Sequence, residues 1–178
     1  MRIDSVLTYL YERQLFNGTV LIGSKSKEVY KKAFGISDSR SGAMLSTTSP
    51  FNLASVSKQF YTMMVMMLRE QGKLNYDDHV QKYLPIFPYP DITIRQLMNQ
   101  TSGLPEYFDL VDFHRGLLDT LTNQSLLELL AQMKPSLEFK PGEKWQYCNT
   151  NYTTLASVIE KYRVFLLTVF SSFTLQNR

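Results

Sequence analysis

The spacing of apolar residues in the first third of the chain predicts a helix followed by a β-hairpin. Apolar side chains first recur at helical intervals: Ile3, Val6, Leu7, Leu10 and Tyr11. This period is typical of an amphipathic helix, here over residues 4–15. Residues 18–23 and 28–35 are rich in Val, Ile, Tyr and Phe, with only the polar residues 24–27 between them. They predict an antiparallel hairpin, whereas residues 36–50 hold no sustained apolar period and predict a loop.

Helical patterns dominate the remainder of the chain. The first helix predicted in this part of the chain runs from Ser55 to about Gln71, and Gly72 is well placed to cap its C-terminus. Four methionines in this helix are expected to fill irregular gaps in the core: Met63, Met64, Met66 and Met67. Further helices are predicted at residues 77–84, 93–99, 106–120, 125–133 and 150–162. The order of helix, hairpin and then many helices predicts an α+β fold.

Length and charge narrow the class of protein. The 178 residues fit one domain or most of one, and the apolar content of 44% is that of a soluble globular chain. The net charge is only +3 and the basic residues are scattered, so no nucleic-acid partner is expected. The N-terminus has no apolar stretch followed by a cleavage site, which predicts a cytoplasmic location for the chain as written.

Cysteine and histidine are scarce. The single cysteine, Cys148, excludes an intrachain disulfide, and its expected role is packing. His79 and His114 fit no metal-ligand spacing. We therefore predict neither a metal nor another cofactor.

Ser55 and Lys58 carry the main candidate chemistry. A serine hydroxyl is a poor nucleophile at neutral pH and needs a base within hydrogen-bond reach. Residues three apart on a helix face the same way, so Lys58 can lie beside Ser55 and accept its proton. The free N–H groups of the first helical turn would favour the negative charge that develops in acyl transfer. The pattern recurs at Ser24 and Lys27, but that copy lies between two predicted strands and indicates a polar turn.

Several short motifs follow one another in a set order. They read FNLASVSK at 51–58, GKL at 72–74, KYLP at 82–85, TSGLP at 101–105 and YCNTNY at 147–152. With this set, residues 16–162 resemble the serine β-lactamase and penicillin-binding-protein family. The resemblance is to the branch that holds class C β-lactamases, D-alanyl-D-alanine carboxypeptidases and related esterases.

The resemblance implies a β-lactamase-like fold and a serine acyl hydrolase. Ser55 would form the acyl-enzyme, and its own backbone N–H would supply half of the oxyanion hole. Lys58 would assist removal of the Ser55 proton, and Tyr147 is similar to the family's second base. Asn149 would form hydrogen bonds both to the substrate amide and to Lys58. The implied partner is a small molecule or peptide with an acyl group: a β-lactam, a D-alanyl peptide or a small ester.

Two departures from the family pattern change these expectations. Gln100 stands before Thr101 where the family often has histidine, so no role of that histidine is carried over. The family's third motif, Lys-Thr-Gly or His-x-Gly, cannot follow, because Gly142 is the last glycine and His114 the last histidine. We therefore expect an incomplete β-lactamase-like fold: the helix, hairpin, nucleophile helix and helical lobe without the C-terminal strands and helix.

Residues 163–178 are expected to be an apolar tail outside the family domain, which we place at residues 1–162. The apolar run at 164–173 is far shorter than the roughly 20 residues that a membrane span requires. A hairpin without further sheet partners exposes an edge, through which the chain could self-associate.

Three readings of function stay open at this point. The first is the acyl hydrolase described above. The second is an inactive truncated homologue or gene fragment, without catalysis because the third motif is absent. The third is an interaction module that uses the apolar tail and the methionine-rich helix.

Overall fold

The computed structural model describes residues 3–113 and 122–162. The chain divides into two compact units, of which the first ends at Leu53 and the second begins at Ala54. The predicted tail at 163–178 lies outside the described residues, as does the end of the helix predicted at 106–120. The proposed domain limits and the predicted self-association therefore stay predictions.

The first unit contains a helix and two small antiparallel sheets. Its elements are α1 (Ile3–Glu12), β1 (Gly18–Ser24), β2 (Lys27–Phe34), β3 (Ile36–Asp38) and β4 (Ala43–Met44). β1 pairs with β2 over its whole length, from Gly18 opposite Phe34 to Ser24 opposite Lys27. The hairpin predicted from the apolar runs is confirmed, and its turn residues Lys25 and Ser26 adopt positive φ angles.

The first helix ends earlier than its apolar period predicted. α1 stops at Glu12, and Gln14 follows with a φ angle of +57°. The N–H of Gln14 donates to Tyr11 O and that of Leu15 donates to Leu10 O, both at 2.9 Å. This pair of bonds is a Schellman motif, which closes a helix with a left-handed residue. The position is usually glycine, so glutamine there gave no stop signal in the sequence.

The prediction of a loop over residues 36–50 was wrong in part, because β3 and β4 lie within it. Ile36 pairs with Met44, and the Asn17 side chain fixes the entry to β3. Asn17 accepts from Ile36 N at 2.8 Å and donates to Ile36 O at 2.9 Å. Strands of two and three residues are too short to show an alternating pattern, which explains why the sequence did not reveal them.

The second unit is helical. Its elements are a 3₁₀ turn (Ala54–Ser57), α2 (Lys58–Glu70), a 3₁₀ turn (Val80–Lys82), α3 (Ile94–Met98), α4 (Tyr107–Phe113), α5 (Asn123–Met133) and α6 (Asn149–Glu160). Two predictions need correction. The α-helix expected from Ser55 begins three residues later, and the helix expected at 77–84 is only the second 3₁₀ turn.

Helix α6 lies at the centre of the second unit. It contacts α2, α3 and α5, and Leu155 and Val158 are fully buried. Four of its polar residues are buried as well: Thr150, Asn151, Thr154 and Ser157. Each of them makes a hydrogen bond, as buried polar groups require. Thr150 and Asn151 bond residues outside the helix and help to fix the start of α6, whereas Thr154 and Ser157 bond carbonyls within α6.

The methionine prediction for α2 holds for only half of the set. Met64 is 4% exposed, and Met67 packs against the same core. Met63 and Met66 are 51% and 41% exposed. Consecutive methionines cannot all face one side of a helix with 3.6 residues per turn, so two of them face away from the core.

Among the described residues, no helix is long and apolar enough to span a membrane.

Gly103 has no room for a side chain, whereas Gly72 has room for one. Both have positive φ angles, +77° and +68°. A Cβ at Gly103 would lie 2.1 Å from Phe139 O, but a Cβ at Gly72 would meet nothing within 4 Å. We predict that Gly72→Ala lowers the free energy of unfolding by about 1–2 kcal/mol, the cost of a left-handed alanine. Gly103→Ala should cost at least about 2 kcal/mol more, because it adds a backbone clash.

Urea unfolding followed by circular dichroism measures both free energies. Equal losses of unfolding free energy in the two variants would show that the contact between residue 103 and the Phe139 carbonyl does not affect stability.

Candidate active site

The candidate nucleophile lies in a tight turn that leads into α2. Ser55 belongs to the 3₁₀ turn Ala54–Ser57, and Lys58 is the first residue of α2. A 3₁₀ turn has about 3.0 residues per turn, so side chains three apart are eclipsed. Lys58 Nζ accordingly donates to Ser55 Oγ at 3.1 Å. The predicted neighbours are thus in contact, although the intervening turn is not α-helical.

The turn starts from an unusual backbone conformation. Ala54, directly before Ser55, has a φ angle of +44°. A left-handed conformation costs a non-glycine residue about 1–2 kcal/mol, and such residues cluster at functional sites. Ser57 Oγ donates to Ala54 O at 2.6 Å and closes the turn. The Ser55 side chain is exposed to solvent.

Tyr147 and Asn149 complete a closed ring of hydrogen bonds with Ser55 and Lys58. Tyr147 Oη lies 2.7 Å from Ser55 Oγ, and Lys58 Nζ donates to Asn149 Oδ1 at 2.8 Å. The Tyr147 hydroxyl also lies 3.3 Å from Asn149 Oδ1. All four residues that the sequence singled out are therefore brought together, across more than 90 positions of chain.

The charge of Lys58 acts directly on Tyr147. Its ammonium nitrogen lies 4.9 Å from the centre of the Tyr147 ring. The adjoining Lys58 ammonium, helped by the hydrogen bond with Ser55, lowers the pKa of Tyr147 below its ordinary value. Tyr147 is 45% exposed, and its partial burial opposes this shift. A tyrosine of this kind can exchange a proton with the adjacent serine at a lower pH than an ordinary phenol.

Asn149 is held from its other side by a carboxylate. Glu106 Oε2 accepts from the backbone N–H of Asn149 at 2.8 Å and from Asn149 Nδ2 at 3.1 Å. Glu106 Oε1 accepts from Tyr107 N at 3.1 Å. Glu106 follows the TSGLP motif directly and was not predicted as a site residue, because an acidic residue beside a loop is most often solvated surface.

Gln100 anchors the segment that carries Tyr147 and Asn149. It is 7% exposed and adopts a φ angle of +61°. Its Oε1 accepts from Cys148 N at 3.0 Å and from Asn151 Nδ2 at 2.5 Å, and its backbone O accepts from Gln146 N at 2.9 Å. The residue that departs from the family pattern therefore connects the TSGLP loop to the start of α6.

Ser102 and Gly103 continue this connection. Ser102 is fully buried, and its hydroxyl donates to Asn151 Oδ1 at 2.5 Å. It also accepts from Leu104 N at 3.1 Å. Gly103, in the TSGLP motif, adopts a left-handed backbone conformation.

Cys148 is a packing residue in this site. It is 3% exposed, and its thiol donates to Pro105 O at 3.4 Å. Burial raises the pKa of the Cys148 thiol, which disfavours the reactive thiolate. This agrees with the expectation from the sequence.

The chain belongs to the Beta-lactamase family, whose model matches residues 4–163. A search of curated proteins finds Penicillin-binding protein 4* of Bacillus subtilis (strain 168), 39% identical over 163 residues. That match covers 89% of this chain and 35% of the relative. The chain thus spans about a third of the length of this curated relative.

Solved structures agree with the family and the β-lactamase-like fold. A penicillin-binding protein from Bacillus halodurans superposes with a TM-score of 0.75 at 26% identity, over 90% of this chain and 48% of that one. EstCE1, described as a hydrolase with promiscuous acyltransferase activity, gives a TM-score of 0.75 at 28% identity. That match covers 87% of this chain and 44% of the EstCE1 chain. The described fold corresponds to a little under half of each of these relatives.

We predict that Gln100→Ala destabilises the chain, because it removes the acceptor of two donors. Leaving Cys148 N and Asn151 Nδ2 without an acceptor should cost more than about 2 kcal/mol, since each buried unsatisfied group costs about 1–3 kcal/mol. Gln124→Ala is the matched control, because the side chain of Gln124 donates to Glu128, an exposed glutamate on its own helix. Chemical unfolding of both variants decides the point, and equal free energies of unfolding would contradict the anchoring role.

Proposed function

We propose that this chain performs serine acyl transfer, with Ser55 forming an acyl-enzyme on a β-lactam, a D-alanyl peptide or a small ester. One observation carries the proposal. Ser55 Oγ lies within hydrogen-bond distance of both Lys58 Nζ, at 3.1 Å, and Tyr147 Oη, at 2.7 Å. An activated nucleophile needs this arrangement of a hydroxyl, a base and a third group that orients them.

The reaction would proceed in two balanced steps. The Tyr147 phenolate takes the proton of Ser55 as its Oγ attacks the substrate carbonyl carbon. When the tetrahedral intermediate collapses, the carbon–nitrogen or carbon–oxygen bond breaks, and Tyr147 returns the proton to the leaving atom. Water then attacks the serine ester with help from the same base. The acid is released, and the Ser55 hydroxyl is restored.

Lys58 and Asn149 would support these steps through charge and hydrogen bonding. The Lys58 ammonium stabilises the Tyr147 phenolate and the developing negative charge at Ser55. Asn149 would hydrogen-bond the substrate amide, while its Oδ1 holds Lys58 in place. The backbone N–H of Ser55 would donate to the oxyanion.

The relatives support this class of reaction without choosing a substrate. One is named a penicillin-binding protein, and another is described as a hydrolase with promiscuous acyltransferase activity. Penicillins and simple esters are therefore the first compounds to test.

We expect a fluorescent penicillin to label the chain covalently, and Ser55→Ala to abolish the label. Opening a β-lactam ring releases no fragment, so the mass of the intact chain should rise by the full mass of the penicillin. Ser24→Ala is the matched control, because Ser24 has the same Ser-x-x-Lys spacing but is the last residue of β1, where it pairs with Lys27. This control variant should be labelled like the unchanged chain.

Electrophoresis and intact-mass spectrometry provide the two readouts. A chain that unfolds cooperatively and yet takes up neither a penicillin nor a p-nitrophenyl ester would overturn the proposed function.

Tyr147→Phe tests the proposed base through the pH dependence of acylation. The rate should rise with pH as Tyr147 loses its proton, because only the phenolate accepts the proton of Ser55. The lowered pKa of Tyr147 puts this rise below the value of about 10 for ordinary tyrosine. Tyr147→Phe should slow acylation by roughly 10²–10⁴-fold and remove the rise. Retention of the wild-type profile in this variant would assign the base to another group.

A further inference from the structure

The contacts of Glu106 distinguish the two ends of the Asn149 amide. The same carboxylate oxygen accepts from the backbone N–H and from the side-chain Nδ2 of Asn149. The opposite end of the amide, Oδ1, accepts from Lys58 Nζ at 2.8 Å. A carboxylate can only accept hydrogen bonds, and an ammonium can only donate them.

These two partners leave Asn149 one favourable orientation. If the amide were rotated by half a turn, its NH₂ group would face the Lys58 ammonium and its oxygen would face the Glu106 carboxylate. Both contacts would then be repulsive. Asn149 Nδ2 carries two hydrogens and gives one to Glu106, so the second can be offered to an acyl substrate.

We propose that Glu106 is a positioning residue for acyl transfer, which sets the orientation of the Asn149 amide and thereby the place of Lys58 beside Ser55. The inference rests on the proposed function for its catalytic meaning. Its structural content is the chain of contacts from Glu106 through Asn149 to Lys58, which exists whatever the substrate is.

Glu106 also contributes a negative charge to the site. The described groups that act on Tyr147 are Lys58, Ser55 and Glu106. Lys58 and Ser55 lower the pKa of Tyr147, whereas the charge of Glu106 raises it. Removal of that charge should lower the pKa of Tyr147 further, because the phenolate would no longer face a carboxylate. The rise of activity with pH would then begin at lower pH.

A purely structural role has to be separated from this one. Glu106 accepts from the first N–H groups of two helices, those of Tyr107 and Asn149. A carboxylate in that position stabilises a helix start, so any substitution can lower stability. Glu106→Gln keeps an acceptor for Asn149 and removes the charge, while Glu106→Ala removes both.

Glu160→Gln is the matched control. Glu160 lies at the opposite end of α6, where its carboxylate accepts from the side chain of Asn123 at 2.7 Å. It is therefore the same type of residue and also accepts from an asparagine side chain, but it lies outside the proposed site. Its variant should match the unchanged chain in every measurement.

The kinetic test uses acylation of the full chain by a p-nitrophenyl ester. Glu106→Ala should lower kcat/KM by about 10²-fold, the typical effect of misplacing a reacting group by about 1 Å. Glu106→Gln should lower it less and move the rise with pH to lower values. Asn149→Asp should be impaired by repulsion from Glu106. Adding Glu106→Gln to that variant should restore part of the loss, since the introduced amide can donate to the new carboxylate.

A titration without substrate separates this inference from the proposed function. Tyrosines labelled with ¹³C at Cζ are titrated by NMR, and the Tyr147 signal is assigned from its loss in Tyr147→Phe. Glu106→Gln should lower the titration midpoint of Tyr147, whereas Glu160→Gln should not.

Each result then has a separate meaning. Failure of the unchanged chain to react with any ester overturns the proposed function, and the titration still tests Glu106. If both Glu106 variants keep the Tyr147 midpoint and, in an active chain, the wild-type kcat/KM, Glu106 is not a positioning residue. An altered free energy of unfolding with an unaltered midpoint and an unaltered kcat/KM would likewise overturn the inference and leave Glu106 only a helix-capping role.

Discussion

The reactive site depends on the hydrogen bonds that join residues 100–106 to the start of α6. Gln100 bonds Cys148 and Asn151, and Glu106 bonds Asn149. These bonds fix the backbone on either side of Asn149. Tyr147 and Asn149 can meet Ser55 and Lys58 only because this segment is held where α6 begins. The apolar core places α6, and the polar loop determines where its first turn points.

The sequence predicted the members of the site better than the way they are held. Ser55, Lys58, Tyr147 and Asn149 were recognised from short motifs, and the structure joins them in one ring of hydrogen bonds. Gln100 and Glu106 were missed as anchors, because their partners lie more than 40 positions away in the chain. Neither a glutamine nor an acidic residue beside a loop has a local signature. Only the folded chain shows what it bonds.

The fold, like the site, was predicted correctly in some parts and wrongly in others. The hairpin and the longer helices follow from runs of apolar residues, which bury one face of each element. The errors lie where local geometry replaces periodicity: Gln14 ends a helix in a glycine conformation, and the strands that begin at Ile36 and Ala43 have too few residues for a pattern. The 3₁₀ turn that contains Ser55 was predicted as α-helix for a related reason. Over four residues, the apolar spacing of a 3₁₀ helix cannot be distinguished from that of an α-helix. These helix ends, short strands and turns are determined by tertiary contacts, which the sequence pattern does not show.

The backbone at Ala54 has a consequence for how the site comes into being. A left-handed alanine is scarce in an unfolded chain, so the turn that presents Ser55 is not formed in advance by local preference. The hydrogen bond from Ser57 Oγ to Ala54 O and the packing of α2 against α6 help to keep it. A peptide of residues 54–58 would therefore contain the serine and the lysine but not their arrangement. Reactivity at Ser55 would appear with the tertiary structure and report on its integrity.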